Sequence, residues 1–360
     1  MKDIIVKCPI NQLSYGNISF NILREIHSLG MKASIFPVSN KVDVSVYDRI
    51  ESDFMHWLQE SISRRNLHSK RNFPCLNIWH IAGSELKISD KNILYTFHET
   101  DSSSQAELNL CSLYDKTIFS SSFSHEVFKL NGLANSDYAN PGFDFDFHKN
   151  DSFKLNNKIH FGIMGKWESR KNTSRIIKLW VEEFGNDNRF QLSCCVNNSF
   201  LTDQDLKKLK KESTSNRDIT NINFLPFLEK NSQVNQYLNS IDIDLGGMSG
   251  AEGWNLPSFN ATCLGAWSIV LNATAHKDWA TKENCILIEP SSKTDIFDGT
   301  FFKGEEFNIG CKYDFNDKDF IQAMHTAVGK VKNNIKNTKG EELKDKFTYK
   351  KTLENILKHF

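Results

Sequence analysis

Twice along this chain, short apolar runs give way to stretches with helical spacing, and near the middle the pattern stops and starts again. That double alternation is the strongest constraint on the fold, because strand–helix–strand units close into mostly parallel sheets covered by helices. In the first round, DIIVKCPI reads as a strand, Ile18, Ile22, Ile26 and Leu29 as one face of a helix, and MKASIFPV as a second strand. Strands are expected again at CLNIWHI, NILYTFH and KTIFSSS, followed by a helix at FSHEVFKLNG that Gly132 stops. The polar, turn-rich segment 140–158 reads as a linker. Beyond it, strands are expected at IHFGIMG, RFQLSCCV, NINFLPF, DIDLGG, WSIVLN and CILIEP, with helices at NTSRIIKLWVEEF, TDQDLKKLKKES and EKNSQVNQYLNSI between the earlier ones. DKDFIQAMHTAVGKVKNNI and KDKFTYKKTLENILKHF end the chain with helical spacing.

A length of 360 residues exceeds one comfortable core and suits two domains. The expectation is therefore an α/β protein of two Rossmann-like domains facing a central cleft, at 1–150 and 151–335, with a C-terminal helix at 336–360 whose crossing back to the first domain the sequence leaves open. Forty-four basic and 44 acidic side chains cancel, so net charge gives no general attraction for nucleic acid or an anionic membrane. Only local patches remain for such a role, SRRNLHSKR at 63–71 and KKLKK at 207–211, and both suit solvated faces equally well. The eight cysteines include no CxxC and no Cys/His cluster at zinc spacing, so no metal site is expected and the thiols read as reduced, in a cytoplasmic protein. No run approaches the ~20 apolar residues of a membrane span.

Ligands of open α/β sheets bind at the carboxyl ends of strands, where helix N-termini present free N–H groups. Three turns stand there. In SYGNIS, Gly16 lets backbone come close to a ligand, with Asn17 beside it, although such turns are often purely structural. In GKWESRKN, Lys166, Arg170 and Lys171 precede a helix capped by Asn172 or Thr173; cations there oppose the helix dipole unless an anion lies between them, and a solvated basic loop is the alternative. In AEGWNLPSFNATCLG, Ser249 to Gly253 read as a flexible turn, Pro257 suits a first helical turn, and Glu252 is held at a strand end. Its carboxylate can accept sugar hydroxyls while the N–H groups around Trp254, Asn255 and Leu256 face a phosphate, or it can simply favour the helix dipole.

Together these turns resemble the retaining glycosyltransferases of the GT-B fold, in the large group with a Glu, seven residues, Glu motif. SSSFSHEVFKLNG followed by NPGFD is similar to that group's serine–aromatic–helix and proline–glycine–aspartate segment, and EGWNLPSFNA to its Glu-Gly-aromatic-Gly-Leu-Pro motif. The resemblance spans nearly the whole chain. It departs at Asn260, where the group has its second glutamate, at Lys166, where it has arginine, and at Asn255, where it has glycine. By resemblance, Lys166, Arg170 and Lys171 would neutralise the diphosphate of a nucleotide-sugar donor, with UDP as the expected nucleotide and no separate cofactor. Glu252 and Gly253 would meet the transferred sugar, Asn260 the ribose, and Phe227 the base. His98 resembles a histidine that contacts the sugar, and Glu99 and Asp101 are candidates for orienting the acceptor or taking its proton. Transfer would be metal-independent and retain the anomeric configuration. INQLSYGNISFNILREI and DIFDGTFFKGEEF are similar to transferases of large bacteriophages, some of which modify 5-hydroxymethylcytosine in DNA; a glycan or lipid-linked acceptor, or a non-catalytic sugar-nucleotide or DNA binder, fits the same residues. A dinucleotide enzyme is disfavoured because no strand is followed by GxGxxG.

Overall fold

A computed structural model describes residues 3–66, 72–198 and 200–360. The first sheet contains β1 (Asp3–Ile10), β2 (Lys32–Val42), β3 (Cys75–Ile78), β4 (Asn92–Thr96), β5 (Lys116–Phe119) and β6 (Ser136–Tyr138), in the order β2-β1-β3-β4-β5-β6 with every neighbour parallel. The second contains β7 (Ile159–Lys166), β8 (Phe190–Asn197), β9 (Ile222–Phe224), β10 (Ile243–Asp244), β11 (Trp267–Leu271) and β12 (Cys285–Ile288), ordered β12-β11-β10-β7-β8-β9 and again all parallel. A short antiparallel ribbon, β13 (Ser292–Asp295) with β14 (Cys311–Asp314), stands apart.

Central parallel strands are covered on both faces, so they need continuous apolar runs rather than alternation. All five residues of β4 are buried, and β8 is buried along all but its last residue. Each sheet has its own core. Ile4, Val6, Leu76, Ile93 and Tyr95 pack under Ile18, Ile22 and Ile26 of the helix Ser14–Ser28, while Phe161, Leu192, Ile243 and Ile269 pack under Ile176, Ile177 and Trp180 of the helix Thr173–Phe184.

The chain closes on itself. The helix Tyr349–Leu357 inserts Tyr349, Leu353 and Ile356 into the first domain's core. Its approach runs against the linker: a Cβ on Gly142 would lie 2.2 Å from the Tyr349 nitrogen, and the Phe143 N–H donates to the Phe347 carbonyl at 2.9 Å.

Several elements differ from the sequence reading. The first helix begins at Ser14, inside the stretch read as a turn, so Gly16 lies in its opening turn. The helices Ser52–Arg64 and Gln105–Ser112, strand β6 and the ribbon were not expected. Among the described residues all eight cysteines are free thiols, and no helix is long and apolar enough to cross a membrane. KKLKK lies on the helix Asp203–Ser213, whereas residues 67–71 of the other basic patch fall outside the described residues.

Candidate functional site

In each sheet the strand order reverses at one point, between β1 and β3 in the first and between β7 and β10 in the second. The carboxyl ends of these pairs open the crevices in which such sheets bind ligands. At the second reversal, the turn after β7 and the turn after β10 are laced together. The Gly250 N–H donates to the Arg170 carbonyl at 2.7 Å, and the Gly250 carbonyl accepts from the Tyr313 N–H at 2.9 Å. Every residue from Gly247 to Asn255 is buried, which corrects the expectation of a flexible turn.

Glu252 is the centre of this region. Its side chain is 7% exposed, and its Oε1 lies 2.5 Å from Lys171 Nζ and 3.2 Å from Arg170 Nη1. Burial alone would push its pKa up; Lys171 and Arg170 outweigh that and hold it at about 2, so the group is a carboxylate. Arg170 is buried too. Desolvation works against its charge, but Glu252, Glu168 and Glu99 raise its pKa above the usual guanidinium value. Glu168, which the sequence reading passed over, pairs with Arg170 Nε at 2.9 Å and lies 3.8 Å from Lys166 Nζ. The cations before this helix are thus partly countered by the protein's own glutamates. Lys166 is half exposed, with Phe200 and Phe301 each within 6 Å of its ammonium.

Local backbone puts these groups in place. Gly165 has φ +148°, a conformation that favours glycine, and the Lys171 side chain runs beside it, its Cδ 3.4 Å from where a Cβ would stand. Asn172 adopts the left-handed conformation, φ 55°, in the N-cap position, yet its amide turns away from the helix and donates to the Met248 carbonyl at 3.0 Å. Asn255 replaces the glycine of the resembling motif and is also left-handed, φ 70°, a conformation asparagine tolerates better than most residues. Its amide bridges the Gly246 carbonyl and His276 Nε2, both at 3.0 Å. His276 is buried, which lowers its pKa to about 4, so Nδ1–H donating to the Leu271 carbonyl leaves Nε2 to accept from Asn255. Trp254 is core: its ring packs on Phe259 and Phe347, and its carbonyl accepts from Trp279 Nε1 at 3.1 Å. Asn260 is 5% exposed, and its Oδ1 has no hydrogen-bond partner. Phe227, on the loop after β9, is about half exposed.

Across the cleft, the sequence candidates separate. His98 is 1% exposed and committed within its own domain, with Nε2 2.8 Å from the Ser102 carbonyl and 2.9 Å from Thr100 Oγ1, and its ring edge-on to Phe128. Asp101 binds the ribbon: Oδ2 pairs with Lys293 at 2.8 Å and Oδ1 accepts the Cys311 N–H at 2.8 Å. The loop between β13 and β14 adds further ties, through Asn308 N–H to Glu107 Oε1 at 3.0 Å and Ser104 to the Glu306 carbonyl. Glu99 has neither commitment; its charge is felt by Arg170 across the cleft and by His80 beside it. His80, just beyond β3 at the first reversal, was not read from the sequence, because a lone histidine after an apolar run carries no motif. Its ring lies 4.3 Å from that of Tyr15. Although His80 is exposed, desolvation by its surroundings lowers its pKa, with Glu99 opposing and Lys166 adding to the shift. Gly16 faces its own turn, since a Cβ there would lie 2.2 Å from the Asn11 carbonyl, and the Asn17 side chain accepts from Asn21 at 2.8 Å and hydrogen-bonds Asp144.

The two walls touch directly. Gly253 lies against Phe97, where a Cβ would stand 3.0 Å from the Phe97 Cβ, and its carbonyl accepts from Ser120 Oγ at 2.7 Å.

No protein-family model matches the sequence, and no curated protein matches it. Solved structures do match in shape along the whole chain. Sucrose-phosphate synthase of Thermosynechococcus elongatus superposes with a TM-score of 0.69 at 11% identity, covering 99% of this chain and 98% of its own. HepE of Anabaena, solved with UDP and glucose, gives 0.66 at 13% identity with 99% of each chain covered. The lipopolysaccharide outer core galactosyltransferase WaaB, in its apo form, gives 0.62 at 12% identity over both full chains. The fold is therefore GT-B.

Proposed function

We infer that the protein transfers a sugar from a nucleoside diphosphate donor, with UDP as the expected nucleotide, to a hydroxyl acceptor. The observation that carries this reading is the buried Glu252 carboxylate held between Lys171 and Arg170 where the second sheet reverses. An ammonium has three donors, so Lys171 keeps two for phosphate oxygens while one engages Glu252. Both cations engage Oε1 of Glu252, which leaves Oε2 to accept hydroxyls of the transferred sugar. The helix Leu256–Cys263 offers first-turn N–H groups that, as in any helix, lack intrahelical partners and favour an anion. Lys166, as a point charge, adds to the neutralisation of the leaving diphosphate, the main electrostatic demand of the transfer. The unpaired Oδ1 of Asn260 suits a ribose hydroxyl without supplying a charge.

Transfer proceeds with retention on one face of the sugar, the departing phosphate taking the acceptor's proton, so no protein nucleophile is needed. Glu99 and His80 face the cleft from the acceptor side and orient the incoming hydroxyl. Support for UDP comes from HepE, solved with UDP-glucose and with UDP and glucose. The acceptor reading that follows from the bacteriophage resemblance is 5-hydroxymethylcytosine in DNA, with a glycan as the alternative.

The test is release of nucleoside diphosphate from a panel of nucleotide sugars, with and without duplex DNA carrying 5-hydroxymethylcytosine. Release that rises only with that DNA names donor and acceptor together. Slow hydrolysis indifferent to DNA keeps the transferase and moves the acceptor to glycans, and a protein that neither binds nor turns over any donor is not a transferase.

A further inference from the structure

A second cavity, of roughly 790 Å³, opens on the flank of the first domain and shares no residue with the cleft. Its walls come from four stretches: the second half of the helix Ser14–Ser28, Arg49 to Phe54 at the start of the next helix, the linker residues Phe143–Phe147, and the returning chain from Lys344 to Lys350. Two of these are the segments that join the domains. Its volume lies within the range of small-ligand sites.

The cavity's chemistry is that of a built site. Asp144 is 3% exposed, and burial, with Asp146 adding to it, pushes its carboxyl up to about 6. Arg24 pairs with Asp146 at 2.9 Å and lies over the Phe145 ring at 5.0 Å, while its Nη1 is buried without a hydrogen-bond partner. Tyr349, 4% exposed and part of the lining, likewise has a buried hydroxyl with no partner. Buried polar atoms of this kind are rare in folded proteins, because each forfeits the hydrogen bond it had in water. Phe54, Phe143 and Phe147 give the cavity apolar walls, and Phe145, 70% exposed, stands at its edge. Over the whole lining, Arg24, Arg49, Lys344 and Lys350 are matched by Glu25, Glu51, Asp144 and Asp146, so net charge favours neither an anion nor a cation.

We propose that this cavity binds a neutral saccharide of one or two rings, with the aromatic rings covering C–H faces and Arg24, Asp144 and Asp146 exchanging hydrogen bonds with its hydroxyls. Carboxylates that accept from two hydroxyls and a guanidinium that donates to others match a polyol. Because its walls are the interdomain segments, occupancy of the cavity is felt by the linker. The proposal is independent of the donor reading, since it uses none of the same residues.

Calorimetric titration of the full chain with maltose and with glucose tests it, with L-glutamate and inorganic phosphate as comparators. Binding of at least one sugar is expected, weakened about tenfold in Phe145→Ala and in Asp146→Asn, and unchanged in the donor-turn variant Lys171→Ala. Phe145 is exposed enough for its loss to leave the fold intact, and thermal melts check that both Phe145→Ala and Lys171→Ala are folded at the titration temperature. Sugar binding that is lost in Lys171→Ala and indifferent to Phe145→Ala places the sugar in the cleft and overturns the proposal. Binding of glutamate or phosphate instead assigns the cavity to other chemistry, and the absence of binding for either sugar at tens of millimolar also overturns it.

Discussion

The two walls of the cleft use charged residues in opposite ways. On the second-domain side, Lys171, Arg170, Glu168 and Glu252 are gathered into one buried network at a strand reversal, each held by the others. On the first-domain side, His98 and Asp101 are consumed by structure, one inside its domain and one by the ribbon, whereas Glu99 and the unforeseen His80 feel the charges of Arg170 and Lys166. The difference teaches that a site for a fixed, highly charged group can be written into two short turns. The opposite wall depends on which polar residues the surrounding packing leaves free.

The strongest way to break this contrast is to remove the network's centre. Lys171→Ala should cut donor turnover by on the order of 10²–10³-fold and destabilise the fold by about 3 kcal/mol, because Glu252 stays buried with one cation fewer. Diphosphate release and urea unfolding read the two effects. The same network sets a pH signature. Glu252 has its folded pKa depressed from 4.5 to about 2, so its contribution is fully present above pH 4.5 and lost as pH falls toward 2. Stability of the wild type relative to Glu252→Gln should therefore be constant above pH 4.5 and decline below it, by on the order of 3 kcal/mol in total. A gap that does not close in acid would mean that the carboxylate is not ion-paired.

Smaller effects sharpen the other wall. Glu99→Gln is expected to lower turnover on the order of 10²-fold at saturating donor and leave the melting temperature alone; an unchanged rate would leave the acceptor side without an identified carboxylate. Asn260→Ala should raise the donor KM about fivefold, the worth of roughly one hydrogen bond, with kcat held. Asp101→Asn should do least: its partner Lys293 is half exposed, so the tether loses at most ~1 kcal/mol, seen by unfolding, and turnover stays within a factor of about two.

Much of the architecture was legible because each strand or helix announces itself through its own residues. The run at β8 and the Ile176, Ile177, Trp180 face of its preceding helix need no other part of the chain to be recognised. The helix Ser52–Arg64 carries an apolar face at Phe54, Leu58 and Ile62 that the reading overlooked, whereas other missed elements had weak local signals: Gln105–Ser112 depends on a capping box between Ser104 and Glu107 rather than on an apolar face. The ribbon's first strand, Ser292–Asp295, is exposed along its whole length, so no apolar pattern marks it. In the candidate site, Glu252 and Lys171 were named from their turns; Glu168 stood in the same turn GKWESRKN but was passed over because only the cations there were weighed, and His80 belongs to no motif that spacing can reveal.

By itself, the sequence determined two rounds of parallel strands and helices, the linker between them and the turns at the strand ends, because hydrophobic periodicity is a local property of a chain. Only the tertiary structure decided which of those residues meet. Lys171 reaches Glu252 across 81 positions, Ser120 reaches Gly253 across 133, and Asp101 is taken by a ribbon 192 positions away. Contacts at such separations depend on how two sheets and a returning helix pack together, and burial then fixes which charges stay paired and which face the cleft.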